Sequence, residues 1–257
     1  MNVIGIIPAR MQSSRLPGKT MKKICNIPMI GHVYFRSKLS KVLNDVYVAT
    51  CDTQIKDYIE SIDGKVIMTS RNHKRAVDRT EEATKKIEKM STKKINLIVM
   101  IQGDEPCLKP KMISQVVNIF KKNKKIQISN LYTILKNSKE ILDPNRVKVV
   151  VDNRNNAIYF SREKISTKKL NSKKIYYKQG NVFCFRKKAL HYFVKLKSSN
   201  LEMVESVDMN RLIENRYKIK MVKTDFNTIN VDNYKDFKKA KIAMKNDKFF
   251  KLYRKRV

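Results

Sequence analysis

The order of short apolar runs and helical patterns is the feature that most restricts the fold of this chain. Runs of four to six mostly apolar residues, rich in β-branched types, are typical of strands buried on both faces. Such runs occur at 3–8, 46–50, 65–68 and 96–101, separated by helical patterns at 28–40, 53–62 and 78–90. Strands that alternate with helices form parallel sheets with helices on both faces. The first half therefore predicts an α/β fold with a mostly parallel, Rossmann-like sheet.

The second half predicts a β-containing extension of the same domain. Strand patterns at 146–152 and 157–160 are joined by polar residues 153–156, which is typical of a hairpin. Further patterns predict a surface loop at 163–176, a strand at 182–186 and helices at 201–215 and 234–245. We expect one domain over 1–257, made of a core at about 1–130, an inserted region at about 131–200, and a return to the core with a basic tail at about 201–257.

The chain is strongly basic, with 57 Lys and Arg against 23 Asp and Glu and a net charge of +34. Such a charge favours anionic partners and permits salt-sensitive binding of nucleic acid. The excess is mostly lysine spread over nearly every segment, and with the abundant asparagine it is typical of an AT-rich coding sequence. Nucleic acid is therefore not the favoured partner. We expect the basic residues 245–257 to form a solvated helix end.

Neither a membrane span, nor a secretion signal, nor a metal–thiolate site is indicated. No apolar run approaches the ~20 residues that cross a bilayer, and the N-terminus lacks the pattern of a signal peptide. The four cysteines include no C-x-x-C pair and the three histidines are scattered, so neither zinc nor a disulfide framework is predicted. We expect a cytoplasmic protein with reduced thiols and no membrane partner.

A basic loop follows the first strand directly. It begins at Pro8 and contains Arg10, Arg15, Gly18 and Lys19. Two arginines and a lysine in a glycine-containing turn can hold phosphate groups, because arginine donates as a fork and glycine exposes backbone N–H groups. The carboxyl end of a strand is also where α/β folds bind ligands. A plain basic surface loop is the alternative, and the glycine spacing is not that of a Walker A motif.

An acidic turn follows the fourth apolar run. It reads Gln-Gly-Asp-Glu-Pro at 102–106, which sets Asp104 and Glu105 at the end of a predicted strand. An acidic pair of this kind suits Mg²⁺, which prefers oxygen ligands and triphosphate partners. A polar turn that merely ends the strand is the alternative, and Pro106 fits that alternative equally well.

Together these motifs resemble those of the sugar-acid cytidylyltransferases, above all CMP-Kdo synthetase (3-deoxy-manno-octulosonate cytidylyltransferase). The resemblance covers nearly the whole chain, and its most specific motif is QGDEP at 102–106. The other matching segments, in order, are IIPAR…S-RLPGK at 6–19, PMI-HV at 28–33, VAT-D at 48–52, PN-VKVV-D at 144–152, A-YFSR at 157–162, LE--E at 201–205, Arg211, and VD at 231–232.

This resemblance implies a reaction in which the anomeric hydroxyl of Kdo or a related ulosonic acid attacks the α-phosphate of CTP and releases pyrophosphate. The product would serve lipopolysaccharide or another surface glycan. Mg²⁺ is the implied cofactor and a homodimer the implied assembly. The 1–130 core would bind the nucleotide, and the inserted region would contribute to the sugar site and the dimer, although core burial is favoured for Tyr159 and Phe160. Positioning and charge neutralisation would carry most of the catalysis.

Individual residues take roles from the same resemblance. Arg10, Lys19 and Asp104 would be catalytic, with Arg15 in support. The full set of implied site residues is Pro8, Ala9, Arg10, Arg15, Lys19, Arg79 and Asp104 for the nucleotide, Gln102, Arg162, Gln179 and Asp208 for the sugar, and Asp104 and Asp232 for the metal.

Three departures from the family pattern concern the base and the sugar. The family's H-x-S-G-T-D/E-R segment here runs from His73 to Arg79 as HKRAVDR, without the Ser-Gly-Thr core. Gln179 stands where the family tends to have histidine, and Asp208-Met209 where it has Glu-Gln. Since a pocket built to bond a given hydroxyl discriminates strongly, these three residues predict a different sugar side and an amino- or deoxy-substituted ulosonic acid. The alternatives are another sugar or nucleotide, or a basic binding protein without turnover.

Overall fold

A mixed β-sheet with helices on both faces forms the body of the protein, in a computed structural model that describes residues 1–13, 15–135, 137–165, 176–227 and 229–255. The strands are β1 Val3–Pro8, β2 Lys23–Ile24, β3 Ile27–Pro28, β4 Asp45–Thr50, β5 Lys65–Met68, β6 Leu97–Ile101, β7 Ile128–Leu135, β8 Lys148–Val151, β9 Ala157–Ser161, β10 Tyr176–Arg186 and β11 Ile219–Lys223. The helices are α1 Met29–Lys38, α2 Thr53–Ser61, α3 Ala76–Met90, α4 Pro110–Lys122, α5 Ser138–Leu142, α6 Lys187–Lys195, α7 Asn200–Glu205, α8 Met209–Glu214 and α9 Tyr234–Lys245.

The strand order is β11-β7-β10-β6-β1-β4-β5, and β8 branches from β10 to pair with β9. The four strands β6, β1, β4 and β5 are parallel neighbours, as the alternation of strands and helices predicts. Antiparallel β10 lies between β6 and β7, and β11 pairs with β7 in parallel. The predicted α/β class with a mostly parallel sheet is confirmed.

Alternation along the buried strands sends side chains to both faces of the sheet. In β6, Leu97, Val99 and Ile101 pack with α1, α2 and α4, whereas Ile98 and Met100 pack on the opposite face with α3, α6 and α8. All five side chains are at most 1% exposed. Burial of a side chain of this size contributes about 1.5–3 kcal/mol. β6 is therefore firmly anchored, and so is the start of the turn that follows it.

Elements of the second half depart from the predicted pattern. The strand at 182–186 is the second half of the longer β10, and the pattern does not predict α4, β7, α6 or β11. Because β7 and β10 pair inside the sheet, the 131–200 region contributes to the core, and the β8–β9 hairpin branches from it. That hairpin is confirmed, with Asn155 at a φ of 55° in its turn. The predicted loop at 163–176 lies largely outside the described residues.

The helix predicted at 201–215 is wrong in one respect, because it is two helices. α7 ends at Glu205 and is capped by Ser206, whose φ of 49° is left-handed, and α8 begins at Met209. A capping box between Ser199 and Glu202 starts α7. Apolar residues continue at helical spacing across the break, so the sequence pattern does not reveal it.

The basic C-terminal segment packs onto the core, which corrects the expectation of a solvated helix end. A short 3₁₀ helix at Phe250–Leu252 brings Tyr253, only 2% exposed, against α1. The Tyr253 ring stacks on Phe35 with centroids 5.1 Å apart. Fully buried Arg36 pairs with Asp247 at 2.7 Å. The aromatic residues that interrupt the lysines, rather than the lysines themselves, decide where this segment lies.

The four cysteines are all free thiols, as expected. Cys107 and Cys184 are buried, and burial raises the pKa of the Cys107 thiol to about 11. In the part of the chain that the structure describes, every helix is too short or too polar to cross a membrane.

Candidate active site

A cleft of about 260 Å³ opens at the carboxyl edge of the parallel strands. The ends of β1 and β6 meet there because the two strands are parallel neighbours. Gly103 allows this close approach, since a Cβ atom at that position would lie 3.1 Å from the carbonyl oxygen of Pro8. The lining residues are Pro8, Ala9, Arg10, Gln12, Ser13, Arg15, Lys19, Thr20, His73, Lys74, Arg75, Ala76, Arg79, Gln102, Gly103 and Asp104.

The loop after β1 is held by its own backbone. Gly18 has a φ of 64°, where glycine is favoured, and its N–H donates to the Met11 carbonyl at 3.1 Å. The Thr20 hydroxyl donates to the Arg10 carbonyl at 3.2 Å, and the N–H of Met11 donates to the Asp52 carboxylate at 2.8 Å. These contacts fix the directions in which the basic side chains of the loop leave the backbone.

Lys19 lies between the two carboxylates predicted to bind metal. Its Nζ donates to Asp104 Oδ2 at 2.8 Å and to the Val231 carbonyl at 2.9 Å, and it lies 3.6 Å from Asp232 Oδ1. Burial disfavours the ammonium charge, but attraction by Asp104 and Asp232 outweighs it and raises the pKa of Lys19. The cation that neutralises this acidic pair in the structure is therefore a lysine.

The segment around Asp232 reaches the site through its backbone. The N–H of Val231 donates to the Asp104 carbonyl at 2.9 Å, which joins two stretches far apart in sequence. Arg15 donates to Asp232 Oδ1 at 2.8 Å. Burial and the nearby Asp104 carboxylate raise the pKa of Asp232, against the attraction of Lys19 and Arg15. Asp104 and Asp232 thus both lie within 4 Å of Lys19 Nζ, and their shared binding of a metal ion stays a prediction.

The acidic pair has features that fit a divalent cation. Asp104 Oδ1 is buried and has no hydrogen-bond partner among the described residues. Both carboxylates approach one nitrogen atom within 4 Å, which is close enough for them to share an ion. Within the described residues, no group of three or more His, Cys, Asp or Glu side chains is placed to hold a metal ion. A bound Mg²⁺ would therefore need phosphate oxygens or waters as its further ligands, as is usual for this ion.

Glu105 does not share the partly exposed position of Asp104, whose side chain is 22% exposed, although Asp104 and Glu105 together are the feature of this turn that predicts a metal site. Glu105 is 2% exposed, and burial raises the pKa of its carboxyl to about 7. Lys178 on β10 is also buried and lowers the pKa of Glu105 in part. The turn thus presents one carboxylate to the cleft and directs the other into the protein.

Arg10 is an available cation in the cleft. It is exposed, and its guanidinium makes no hydrogen bond or ion pair within the described ranges. Arg75 also lines the cleft, with Nε 3.4 Å from Glu202. Arg79 is buried and donates to Thr69 Oγ1, so it supports the wall of the cleft. The replaced 74–77 segment therefore adds positive charge to the side where the family pattern has small polar residues.

The sugar-side residues are more dispersed than predicted. Gln102 lines the cleft. Arg162 donates with its three guanidinium nitrogens to the carbonyls of Glu205, Pro144 and Ser206, which gives it a structural role. Met209 is fully buried in the apolar core, which corrects its expected place as a wall of the sugar site.

Two further sugar-side predictions, Gln179 and Asp208, also lie outside the residues that line the cleft. Gln179 is on β10, and its Nε2 is buried without a hydrogen-bond partner among the described residues. Asp208 stands before α8, where burial raises the pKa of its carboxyl against the attraction of Arg75. Gln179 thus keeps an unused donor, whereas the charge of Arg75 only partly offsets the burial of Asp208.

Asn181 and Asn230 also belong to the site, although no sequence motif indicates them. Asn181 Nδ2 donates to Asn230 Oδ1 at 2.9 Å, and Asn230 Nδ2 donates to Asp232 Oδ2 at 2.5 Å. The Asn181 carbonyl also accepts from the N–H of Gln102 at 3.1 Å. Asparagine is so common in this chain that only the three-dimensional contacts distinguish these two.

Comparison with known proteins gives a consistent relationship. The family model described as Cytidylyltransferase matches residues 4–221. An 8-amino-3,8-dideoxy-manno-octulosonate cytidylyltransferase of Shewanella pealeana is 38% identical over 239 residues, which cover 93% of this chain and 96% of that protein. A 3-deoxy-manno-octulosonate cytidylyltransferase of Thermodesulfovibrio yellowstonii is 36% identical, covering 93% and 97%.

Among solved structures, a CMP:2-keto-3-deoxy-manno-octonic acid synthetase complexed with CTP superposes with a TM-score of 0.87 at 30% identity, covering 95% of this chain and 99% of that one. The sequence similarity to the two relatives and the structural similarity to the synthetase therefore both extend over nearly the whole chain. The chain belongs to the cytidylyltransferase family.

Proposed function

We propose that this protein transfers CMP from CTP to the anomeric hydroxyl of an ulosonic acid and releases pyrophosphate. The observation that carries the proposal is that Arg15 and Lys19 contact the Asp104 and Asp232 carboxylates at the carboxyl edge of the sheet, beside a cleft that Arg10 also lines. Two relatives whose alignments cover over nine-tenths of this chain are named for this activity.

The phosphate-binding work falls to the loop after β1. Arg10, whose guanidinium has no partner among the described residues, is free to take triphosphate oxygens as a fork, and Lys19 can turn from the carboxylates to a phosphate once another cation neutralises them. Such contacts stabilise negative charge that moves onto the departing pyrophosphate. The protein's contribution is therefore mainly orientation and charge neutralisation.

Mg²⁺ is the proposed cofactor, and Asp104 and Asp232 would hold it. When bound, the ion would supply Lewis-acid stabilisation of the phosphate oxygens. The two carboxylates keep their positions through the backbone bond between Val231 and Asp104 and through Arg15. The nucleotide-binding role of Pro8 and Ala9 would be to let the phosphates approach the backbone closely.

An amino-substituted ulosonic acid is the proposed sugar, in preference to Kdo itself. Both sugars occur in the names of the relatives. Gln179 stands where the family pattern has histidine, so the hydrogen-bonding groups on the sugar side differ from that pattern, and its Nε2 is a buried donor with no partner among the described residues. A missing partner costs about 1–3 kcal/mol per buried group. Two unsatisfied groups in the complex with Kdo would lower kcat/KM for Kdo by about 10²-fold or more.

The sugar preference is tested by kinetics with Kdo and 8-amino-3,8-dideoxy-manno-octulosonate side by side at saturating CTP. We expect the amino sugar to be favoured by about 10²-fold in kcat/KM. Gln179→His, which restores the family residue, should narrow the difference by improving Kdo. Equal kcat/KM values, or a value for Kdo above about 10⁴ M⁻¹s⁻¹, would show that these substitutions are neutral.

A homodimer in the cytoplasm is the proposed state of the enzyme. Ile158 on β9 and Met203 and Val204 on α7 are exposed apolar residues, and Tyr159 donates to Glu205, which places the hairpin beside α7. Light scattering should give twice the chain mass for wild type. Ile158→Lys should give the monomer mass if this surface forms the interface.

The transfer reaction itself is tested by a pyrophosphate-release screen of four nucleoside triphosphates against a panel of sugar acids. We expect release with CTP and an ulosonic acid together, and none with either alone. Release with another nucleotide in preference to CTP would point to the replaced 74–77 segment as a changed base pocket. No release with any pair would contradict the proposed function.

A further inference from the structure

The carboxylate of Asp232 is held on both of its oxygens by different kinds of group. Oδ1 faces the cations, with Arg15 at 2.8 Å and Lys19 at 3.6 Å. Oδ2 instead accepts from Asn230 Nδ2 at 2.5 Å. The carboxylate therefore has one oxygen directed to the charged side of the cleft and the other tied to a neutral amide.

The direction of this amide contact is dictated by chemistry. An ionised carboxylate only accepts hydrogen bonds, so the NH₂ group of Asn230 must face Asp232. The Asn230 carbonyl oxygen then points away and requires a donor. Asn181 Nδ2 supplies it at 2.9 Å. Two asparagines thus form a relay with a single allowed polarity that ends on the carboxylate.

The far end of the relay is anchored in the central sheet. Asn181 lies in the irregular stretch where the register of β10 against β7 shifts between Gln179 and Phe183. Fully buried Asn130 on β7 clamps this stretch by donating to the carbonyls of Gly180 at 2.8 Å and Val182 at 3.0 Å. The two asparagines therefore link the Asp232 side chain, which lies on a connecting segment, to the well-anchored strand β10.

We propose that Asn181 and Asn230 are positioning residues. They orient the Asp232 carboxylate toward Asp104 and so set the affinity of these two carboxylates for a divalent cation. Groups that hydrogen-bond a metal ligand from behind fix its orientation, and their loss commonly weakens metal affinity 10–100-fold, as an order of magnitude. The inference rests on the proposed function for the role of the cation in turnover, but cation binding itself is measured without turnover.

The test is Mn²⁺ binding by electron paramagnetic resonance, with CTP present and no sugar, corrected for the Mn²⁺–CTP complex measured without protein. Asn230→Ala and Asn181→Ala should each weaken Mn²⁺ binding about tenfold. The double variant should be no more than about twofold worse than Asn230→Ala alone, because the two side chains act in series. Asn181 contacts Asp232 through Asn230. Asn181→Ala therefore provides a second test if Asn230→Ala fails to fold.

Asn44→Ala is the matched control. Asn44 Oδ1 accepts from the N–H of Val3 at 2.8 Å, at the amino edge of the sheet, opposite to the cleft. Its loss should lower thermal stability and leave Mn²⁺ affinity unchanged. In turnover assays the relay variants should need about tenfold more Mg²⁺ for half-maximal rate, with kcat at saturating Mg²⁺ within about threefold of wild type.

Wild-type Mn²⁺ affinity in both relay variants, or no Mn²⁺ binding by the wild type, would overturn the inference. A loss confined to melting temperature, as for the control, would also overturn it by showing a purely structural role. A wild type that binds Mn²⁺ tightly but turns over no sugar would contradict the proposed function and leave the relay intact.

Discussion

Acid is expected to destabilise this protein through His32, a fully buried residue of α1. Its Nε2 lies 2.7 Å from the Ile24 carbonyl, which only accepts, so the proton of the neutral ring is on Nε2. Nδ1 then accepts from the Tyr253 hydroxyl at 2.8 Å, and that hydroxyl accepts from Arg36 Nε at 3.1 Å. A second proton on the ring would place a buried positive charge beside that of Arg36.

The size of the effect follows from the pKa of His32. Burial, aided by the charge of Arg36, lowers this pKa from 6.5 to about 4. The unfolded chain binds the proton near pH 6.5 and the folded protein only near pH 4, so stability is complete above 6.5 and falls as the pH drops between these values. Each pH unit is worth about 1.4 kcal/mol, which gives a total of roughly 3 kcal/mol.

Urea unfolding between pH 7 and 4.5 measures this loss. Wild type should lose roughly 2–3 kcal/mol of unfolding free energy through His32, in addition to what its carboxylates contribute. His32→Gln should be less stable at pH 7 but fall less steeply. His191→Gln is the control, because the His191 side chain is 45% exposed on α6. Parallel curves for wild type and His32→Gln would refute the reasoning.

Other expected outcomes concern the charged groups. Asp104→Asn should lower turnover by about 10²-fold or more without unfolding the protein; a near-normal rate would remove Asp104 from the mechanism. Arg10→Ala and Lys19→Ala should weaken CTP binding in calorimetry far more than CMP binding, and equal losses would contradict their placement at the β- and γ-phosphates. Asp247→Asn should reduce the unfolding free energy by about 3–5 kcal/mol, because it leaves buried Arg36 without its carboxylate; a loss under about 1 kcal/mol would exclude a stabilising pair.

The nucleotide side of the cleft is predictable from the sequence because its parts follow parallel strands. The loop after β1 and the turn after β6 each come directly after an apolar run, and adjacent parallel strands bring such segments to one edge. Local patterns therefore suffice to place Arg10, Lys19 and Asp104 together. They do not show that Glu105 turns inward, since that depends on the packing of β10 beside β6.

Contacts made by β10 are the part that local patterns miss. Antiparallel β10 enters the middle of the sheet from the second half of the chain and brings Asn181 into contact with Gln102 and Asn230. Asp232 reaches the cleft by a backbone bond from Val231 to Asp104, which only the folded chain reveals. The resemblance to known enzymes indicates Asp232, but the asparagines that hold it have no motif.

The sugar side shows how a family pattern can mislead about an individual residue. Met209 occupies the position of a hydrogen-bonding residue in the family pattern, yet it is fully buried with the apolar core. Arg162 uses its guanidinium to hold the backbone near Glu205. Carrying a role from one sequence to another requires the same environment, and burial and backbone contacts change the environment at both positions.

Phosphorus NMR of the wild-type enzyme with CTP, Mg²⁺ and 8-amino-3,8-dideoxy-manno-octulosonate tests the central claim most directly. The account predicts that the CTP signals are replaced by a phosphodiester signal and a pyrophosphate signal twice as intense, because pyrophosphate contains two equivalent phosphorus atoms and the two products form in equimolar amounts. It also predicts no change when the sugar is omitted. Formation of CDP and phosphate instead, or unchanged CTP with both this sugar and Kdo, would contradict the assignment of this cleft to CMP transfer.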